Sequence, residues 1–171
     1  MIRPRWLILL ALAFGCTRPA AGPNPAPVPN LAGQRVLVLP IQSSRTGDSA
    51  SASLVAALRS AQPQAIWIGP AELQRALARL PGFAADPAAL PHDPLLHHGD
   101  RRAGEPLASE IRRFSALADA RWVLLPREAR FVNATSRITA ALLDARTGVV
   151  LWTGDAENAA GLVRHLVGPA H

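Results

Sequence analysis

Three groups of residues have types and spacings that can support chemistry. The first is Cys16, the only cysteine in the 171-residue chain, a thiol open to acylation but without a partner for an internal disulfide. The second is Gly47-Asp48-Ser49, whose serine becomes a nucleophile only if a histidine, itself oriented by a carboxylate, takes its proton. The closest acid-and-base pattern runs from Asp93 to His97. The third is the loop holding His92, Asp93, His97, His98 and Asp100, because imidazole and carboxylate suit zinc or copper. Each group also has a plainer reading. Asp48 stands before the run SASLVAALRSA as a helix cap, and adjacent histidines such as His97 and His98 seldom converge on one ion. The expectation is therefore no catalytic residue, no metal and no cofactor.

The setting of Cys16 is more informative. Arg3 and Arg5 precede the nine-residue apolar run WLILLALAF, Trp6 to Phe14, which is the charge and hydrophobic core of a signal peptide in the right order. That run is far short of the ~20 apolar residues a membrane-spanning helix needs, so residues 1–15 read as a cleaved signal peptide. The stretch Leu12-Ala13-Phe14-Gly15-Cys16 resembles the lipobox of bacterial lipoproteins, with Ala13 where leucine is usual. The resemblance implies that Cys16 becomes the lipidated first residue, carrying acyl chains such as palmitate. Thr17 stands where an aspartate retains some lipoproteins at the inner membrane, so the resemblance also implies the outer membrane. From Thr17 to Asn30 the chain holds five prolines, which fix φ and remove amide donors, so residues 16–33 read as anchor and extended spacer with a reach of roughly 40 Å.

Residues 34–171 remain as one α/β domain, a size at which a single core suffices without disulfides. Loss of Arg3 and Arg5 lowers 18 basic against 12 acidic residues to 16 against 12, a formal charge of +4. All the basic residues are arginines and they are scattered, which argues for a solvated cationic surface and against a nucleic-acid partner.

Hydrophobic patterning places the elements. RVLVLPI, from Arg35, is a continuous apolar run and reads as a strand buried on both faces. A helix follows with Leu54, Val55 and Leu58 inward, then a short strand over Gln64 to Ile68. A second helix opens at Pro70 and carries Leu73, Leu77 and Leu80 on one face. Residues 81–104, with four prolines, three histidines and three glycines, have no periodicity and read as a long loop. A helix from about Pro106 to Ala118 buries Leu107, Ile111, Phe114 and Ala118, with Glu105 and Glu110 towards its start. Trp122 to Leu125 reads as a third buried strand. An antiparallel meander over Ala129 to Val132, Arg137 to Leu143 and Val149 to Thr153 follows, with turns at Asn133-Ala134-Thr135 and at Asp144 to Gly148. Ala159 to Val167 is a last helix. The fold class is α/β: one domain with a mixed sheet, helices packed on it, and a C-terminal antiparallel hairpin. Trp67, Trp122 and Trp152 all fall in strands and read as core residues.

Three segments, RVLVLPI, ALADARWVLLP and ITAALLDARTGVVLWTGDAE, resemble landmarks of one bacterial envelope superfamily. It includes the amino-terminal domain of TolB, the curli secretion lipoprotein CsgG and the penicillin-binding-protein activator lipoproteins. Its hairpin signature, d-x-x-TG-x-v-l-w, is matched here by Asp144, Thr147, Gly148, Val150, Leu151 and Trp152. Pro126 departs from the pattern, in which glycine commonly follows the third strand. The resemblance spans Gln34 to about Glu157 and implies a non-enzymatic α/β domain used for protein contacts in the envelope. The partners implied are a membrane, through the anchor, and an envelope protein, and self-association is compatible with such a role. Gly47-Asp48-Ser49 resembles the nucleophile block of GDSL esterases and supplies the alternative, an exported hydrolase using Ser49. In that family the serine follows its strand almost directly and the later pattern is D-x-x-H; here a polar loop intervenes and Asp93 to His97 is one residue longer.

Overall fold

Strand β1, Arg35–Val38, is apolar throughout its last three residues because helices cover both faces of its sheet. In the computed structural model, which describes residues 28–42, 48–93, 102–130 and 136–168, β1 is followed by α1 (Asp48–Ala61), β2 (Ile66–Ile68), α2 (Pro70–Leu77) and α3 (Leu107–Leu117). Strands β3 (Trp122–Arg130), β4 (Ser136–Asp144) and β5 (Val150–Ala156) then run consecutively, and α4 (Ala159–Val167) ends the described chain's regular structure. The strand order is β2-β1-β3-β4-β5, parallel where β1 meets β2 and β3, antiparallel from β3 to β5. This is the mixed α/β sheet with a C-terminal hairpin that the pattern predicts.

Alternation of side chains across the sheet splits β1 between two cores. Val36 and Val38 face a layer made by α1 and α4, with Leu54, Leu58, Leu162 and Leu166. Leu37 and Leu39 face α2 and α3, with Leu73, Leu107, Ile111 and Phe114. Trp67, Trp122 and Trp152 all enter the first core. Leu31 is fully buried and Val28 packs against that core too, so the chain joins the fold ahead of residue 34, and the expected contact-free spacer does not extend to residues 28–31.

Two local expectations are corrected, and the β4–β5 pairing carries an irregularity. Helix α2 ends at Leu77 and Leu80 is exposed, because Pro81 excludes helical geometry from the residue before it and the chain leaves through a turn from the Leu80 amide to the Leu77 carbonyl. The two strands expected at 122–125 and 129–132 are one strand, β3, which passes straight through Pro126. The carbonyls of Leu124 and Pro126 accept from the amides of Leu39 and Gln42, so position 126 faces β1 beyond its end at Val38, where a missing N–H breaks no regular ladder. Finally, a register shift in the β4–β5 pairing matches Leu142 with Trp152 but Leu143 with Val150. The extra residue of this bulge turns Val150 towards the second core while Leu151 and Trp152 pack on the first. Val150 and Trp152 therefore do not share a face. The expected turn at Asn133-Ala134-Thr135 lies outside the described residues.

Candidate functional site

The hairpin signature folds into a hydrogen-bonded turn between β4 and β5. The Asp144 amide donates to the Val149 carbonyl (2.9 Å) and the Gly148 amide returns to the Asp144 carbonyl (2.8 Å). Gly148 sits at φ +69°, a left-handed conformation that only glycine adopts cheaply. The Asp144 side chain is buried. Its Oδ1 accepts the Arg146 amide at 2.9 Å, and its Oδ2 accepts Nε and Nη2 of Arg121 at 3.2 and 2.9 Å. Burial pushes the carboxyl pKa up, but the Arg121 hydrogen bond and charge and the amides of Arg146 and Thr147 outweigh it and hold it below the usual carboxylate value. The Arg121 guanidinium in turn lies 4.4 Å from the ring centre of Trp122.

This turn forms one wall of an open cleft of about 580 Å³. Its other walls are the start of β1 and the end of α3, and its charged lining comprises Arg35, Arg112, Asp119, Arg121 and Arg146. Arg35 closes the C-terminus of α3, donating from Nε to the Asp119 carbonyl (2.8 Å) and from Nη2 to the Ala118 carbonyl (2.9 Å), where a cation complements the helix dipole. Arg112 pairs with Glu105, and Glu105 also accepts the Ser109 amide in the first turn of α3. These arginines come from β1, α3, the residue before β3 and a turn. No sequence window contains them together, which is why the scattered basic residues gave no site signal.

At the opposite end of the sheet, Gln42 and Arg127 fasten the loop that follows α2. Gln42 donates to the Pro40 and Pro87 carbonyls (both 2.8 Å) and accepts the Leu90 amide (3.0 Å). Arg127 donates to the Pro91 carbonyl (2.9 Å); burial lowers its pKa and the charge of Asp93 partly restores it. Buried Asp93 accepts the Gly104 amide at 2.7 Å. A second groove, about 610 Å³, lies between α1 and α2 and is walled by Pro40, Ala52, Val55 and Ala71. Glu72 occupies the start of α2, accepting the Gly69 amide (3.0 Å) and Arg59 (2.7 Å).

Of the chemistry-bearing residues singled out in the sequence, Ser49 is exposed in the first turn of α1, its carbonyl accepting from the Ser53 hydroxyl. His92 is exposed on the loop; His165, a histidine not singled out there, hydrogen-bonds to the Asp155 carbonyl from α4. The structure does not bring Ser49 and a histidine together among the described residues. Nor do three histidine, cysteine or acidic side chains group as a metal site among those residues. Cys16, Gly47, His97, His98 and Asp100 lie outside them.

No family model matches the sequence, and no curated protein matches it. Solved structures do. The chain is similar to the C-terminal domain of LpoB from Salmonella enterica, with a TM-score of 0.50 and 21% identity over 73% of this chain and 82% of that one. It is also similar to lipoprotein GNA1162 from Neisseria meningitidis, with a TM-score of 0.43 and 19% identity over 71% and 77% of the two chains. Against the PelC dodecamer from Paraburkholderia phytofirmans the TM-score is 0.44, with 18% identity over 81% and 88%. The likeness to the LpoB domain is one of fold.

Proposed function

We propose that this chain is a lipid-anchored accessory or assembly protein of the bacterial cell envelope, acting through protein–protein contacts. In this reading residues 1–15 are removed on export and Cys16 carries the lipid. The domain faces the periplasm from the outer membrane. What carries the reading is the combination, in one chain, of a lipobox-like segment ending at Cys16 with an LpoB-like fold. The sequence resemblance to the superfamily that includes penicillin-binding-protein activator lipoproteins supports it. Eleven residues separate Cys16 from Val28, which is already packed on the core; an extended spacer of that length reaches roughly 35 Å. The domain then works beside the bilayer, not in it.

Two measurements test the proposal. Cys16→Ala is expected to leave the domain folded while abolishing lipid attachment, with the protein blocked in processing or lost from the membrane fraction. Normal maturation and continued sedimentation with membranes would refute the anchor. Crosslinking in intact cells is expected to join the wild-type domain to an envelope protein, and a domain that crosslinks to none contradicts the accessory role.

A further inference from the structure

We infer that the arginine-lined cleft beside the β4–β5 turn is a docking site for an acidic peptide segment of the partner, a reading that deepens the proposed function and rests on it. Arg35 and Arg121 each direct Nε and Nη2 inward, to the α3 carbonyls and to Asp144, and Arg112 directs Nη2 to Glu105. Nη1 of all three has no acceptor among the described residues, and the Arg146 side chain makes neither a hydrogen bond nor an ion pair among them. Four arginines thus line one concavity, three of them already held in place by other hydrogen bonds. Guanidinium groups recognise carboxylates through forked hydrogen bonds, and fixing them beforehand removes part of the entropy cost of binding.

Charge accounting selects the occupant. Against the four arginines stand Asp119 in the cleft and Glu105 and Asp144 behind it, which leaves one net positive charge. Attraction to an anionic bilayer grows with the number of unopposed basic residues, so a single net charge at the bottom of a concavity is poorly suited to a planar membrane. Directed, unfilled donors in a cleft suit discrete carboxylates that can enter it. Apart from Gln34, the remaining wall is built of small residues, Gly33, Ser115, Ala116, Ala120 and Ala145, which leave room for a peptide backbone close to the guanidinium groups. Asp119 does not fill the role itself: its side chain is 94% exposed and its nearest approach to Arg35 is 3.7 Å.

The test uses full-length protein in detergent micelles and fluorescein-labelled octaglutamate, read by anisotropy, with octaglutamine as control peptide. Octaglutamate is expected to bind saturably and octaglutamine not to bind. Arg146→Glu should weaken binding by about tenfold or more, with an unchanged melting curve because the Arg146 side chain makes no hydrogen bond or ion pair among the described residues. Arg164→Glu, the same charge change on exposed α4, should leave binding within about twofold of wild type. Equal weakening by both variants, or no binding by wild type, overturns the inference. So does Arg146-dependent binding to phosphatidylglycerol vesicles without binding to octaglutamate, which assigns the cleft to the membrane. If the Arg146→Glu protein still crosslinks in cells to the same envelope protein as wild type, this inference fails while the accessory role stands.

Discussion

Replacement of Gly154 by alanine sets two effects of opposite sign against each other, and the structure decides between them. Gly154 lies inside β5 opposite Ala140, and glycine within a strand is ordinarily less favourable than alanine by roughly 0.5–1 kcal/mol. Propensity alone therefore predicts stabilisation. A Cβ at this position, however, would run into Cζ2 and stand 2.6 Å from Cη2 of Trp152, a residue that is only 7% exposed and whose indole lies across the glycine. The ring would have to leave its seat on the first core, and overpacking of that kind costs about 1–3 kcal/mol. The net expectation is destabilisation by about 1 kcal/mol, or a fall of roughly 2–4 °C in Tm for a domain of this size. Calorimetry or circular dichroism of Gly154→Ala measures it. A double-mutant cycle isolates the cause: in a Trp152→Leu background the alanine should be neutral or stabilising, because the obstructing ring is gone. A Gly154→Ala protein as stable as wild type, or the same loss in both backgrounds, would refute the packing of Trp152 over the edge strand.

Gly148→Val should lower stability by about 1–3 kcal/mol because valine is strained at φ +69°, while Arg146→Ala on the same turn should stay within about 0.5 kcal/mol of wild type; equal melting temperatures for the two would show the turn misread. The Asp144 carboxyl titrates below its unfolded value of about 3.9, so its contribution is complete above that value and is lost as pH falls through the lower folded pKa. The loss caused by Asp144→Asn, followed by urea midpoint, should accordingly be largest near neutrality and shrink in acid, and a pH-independent difference would contradict the charge assignment. Gln42→Ala removes three hydrogen bonds to its own segment and the loop, and hydrogen exchange at Leu90 should quicken with little change in Tm. Unchanged exchange there would show that Gln42 does not hold the loop.

Where local chemistry decides the outcome, the sequence is a sufficient guide. The unbroken apolar run of β1 follows from helices on both faces, and the spacing of Leu107, Ile111, Phe114 and Ala118 follows from one buried face of α3. Helix α4 runs over the residues its pattern marks, and its start is fixed by Asn158, whose side chain accepts the Gly161 amide at 2.8 Å. Apart from the early end of α2, which adjacent Pro81 causes, the departures arise where a distant segment decides. Pro126 is tolerated within β3 only because β1 has already ended, and Val150 changes face because of a bulge against β4, neither of which is visible in the local string. The same holds for the cleft, whose arginines are spread from position 35 to position 146, and for the latch of Gln42 on residues 87–90.

The signature around Asp144 shows how recognition of a fold and specificity of a surface are divided between neighbouring residues. Asp144 and Gly148 are buried in closing the turn and Trp152 in the first core, while exposed Thr147 accepts the Val149 amide, so most of the residues that carry the resemblance are occupied by the fold itself. Position 146 is one of the signature's unspecified places. Its amide is held by Asp144 Oδ1, which fixes where the residue leaves the backbone, while its side chain is exposed on the cleft and makes no contact that the fold requires. Motif residues thus set the position of residue 146 without setting its identity. A charge can be placed or removed there at little cost in stability; in this chain the residue is an arginine whose side chain makes no hydrogen bond or ion pair among the described residues.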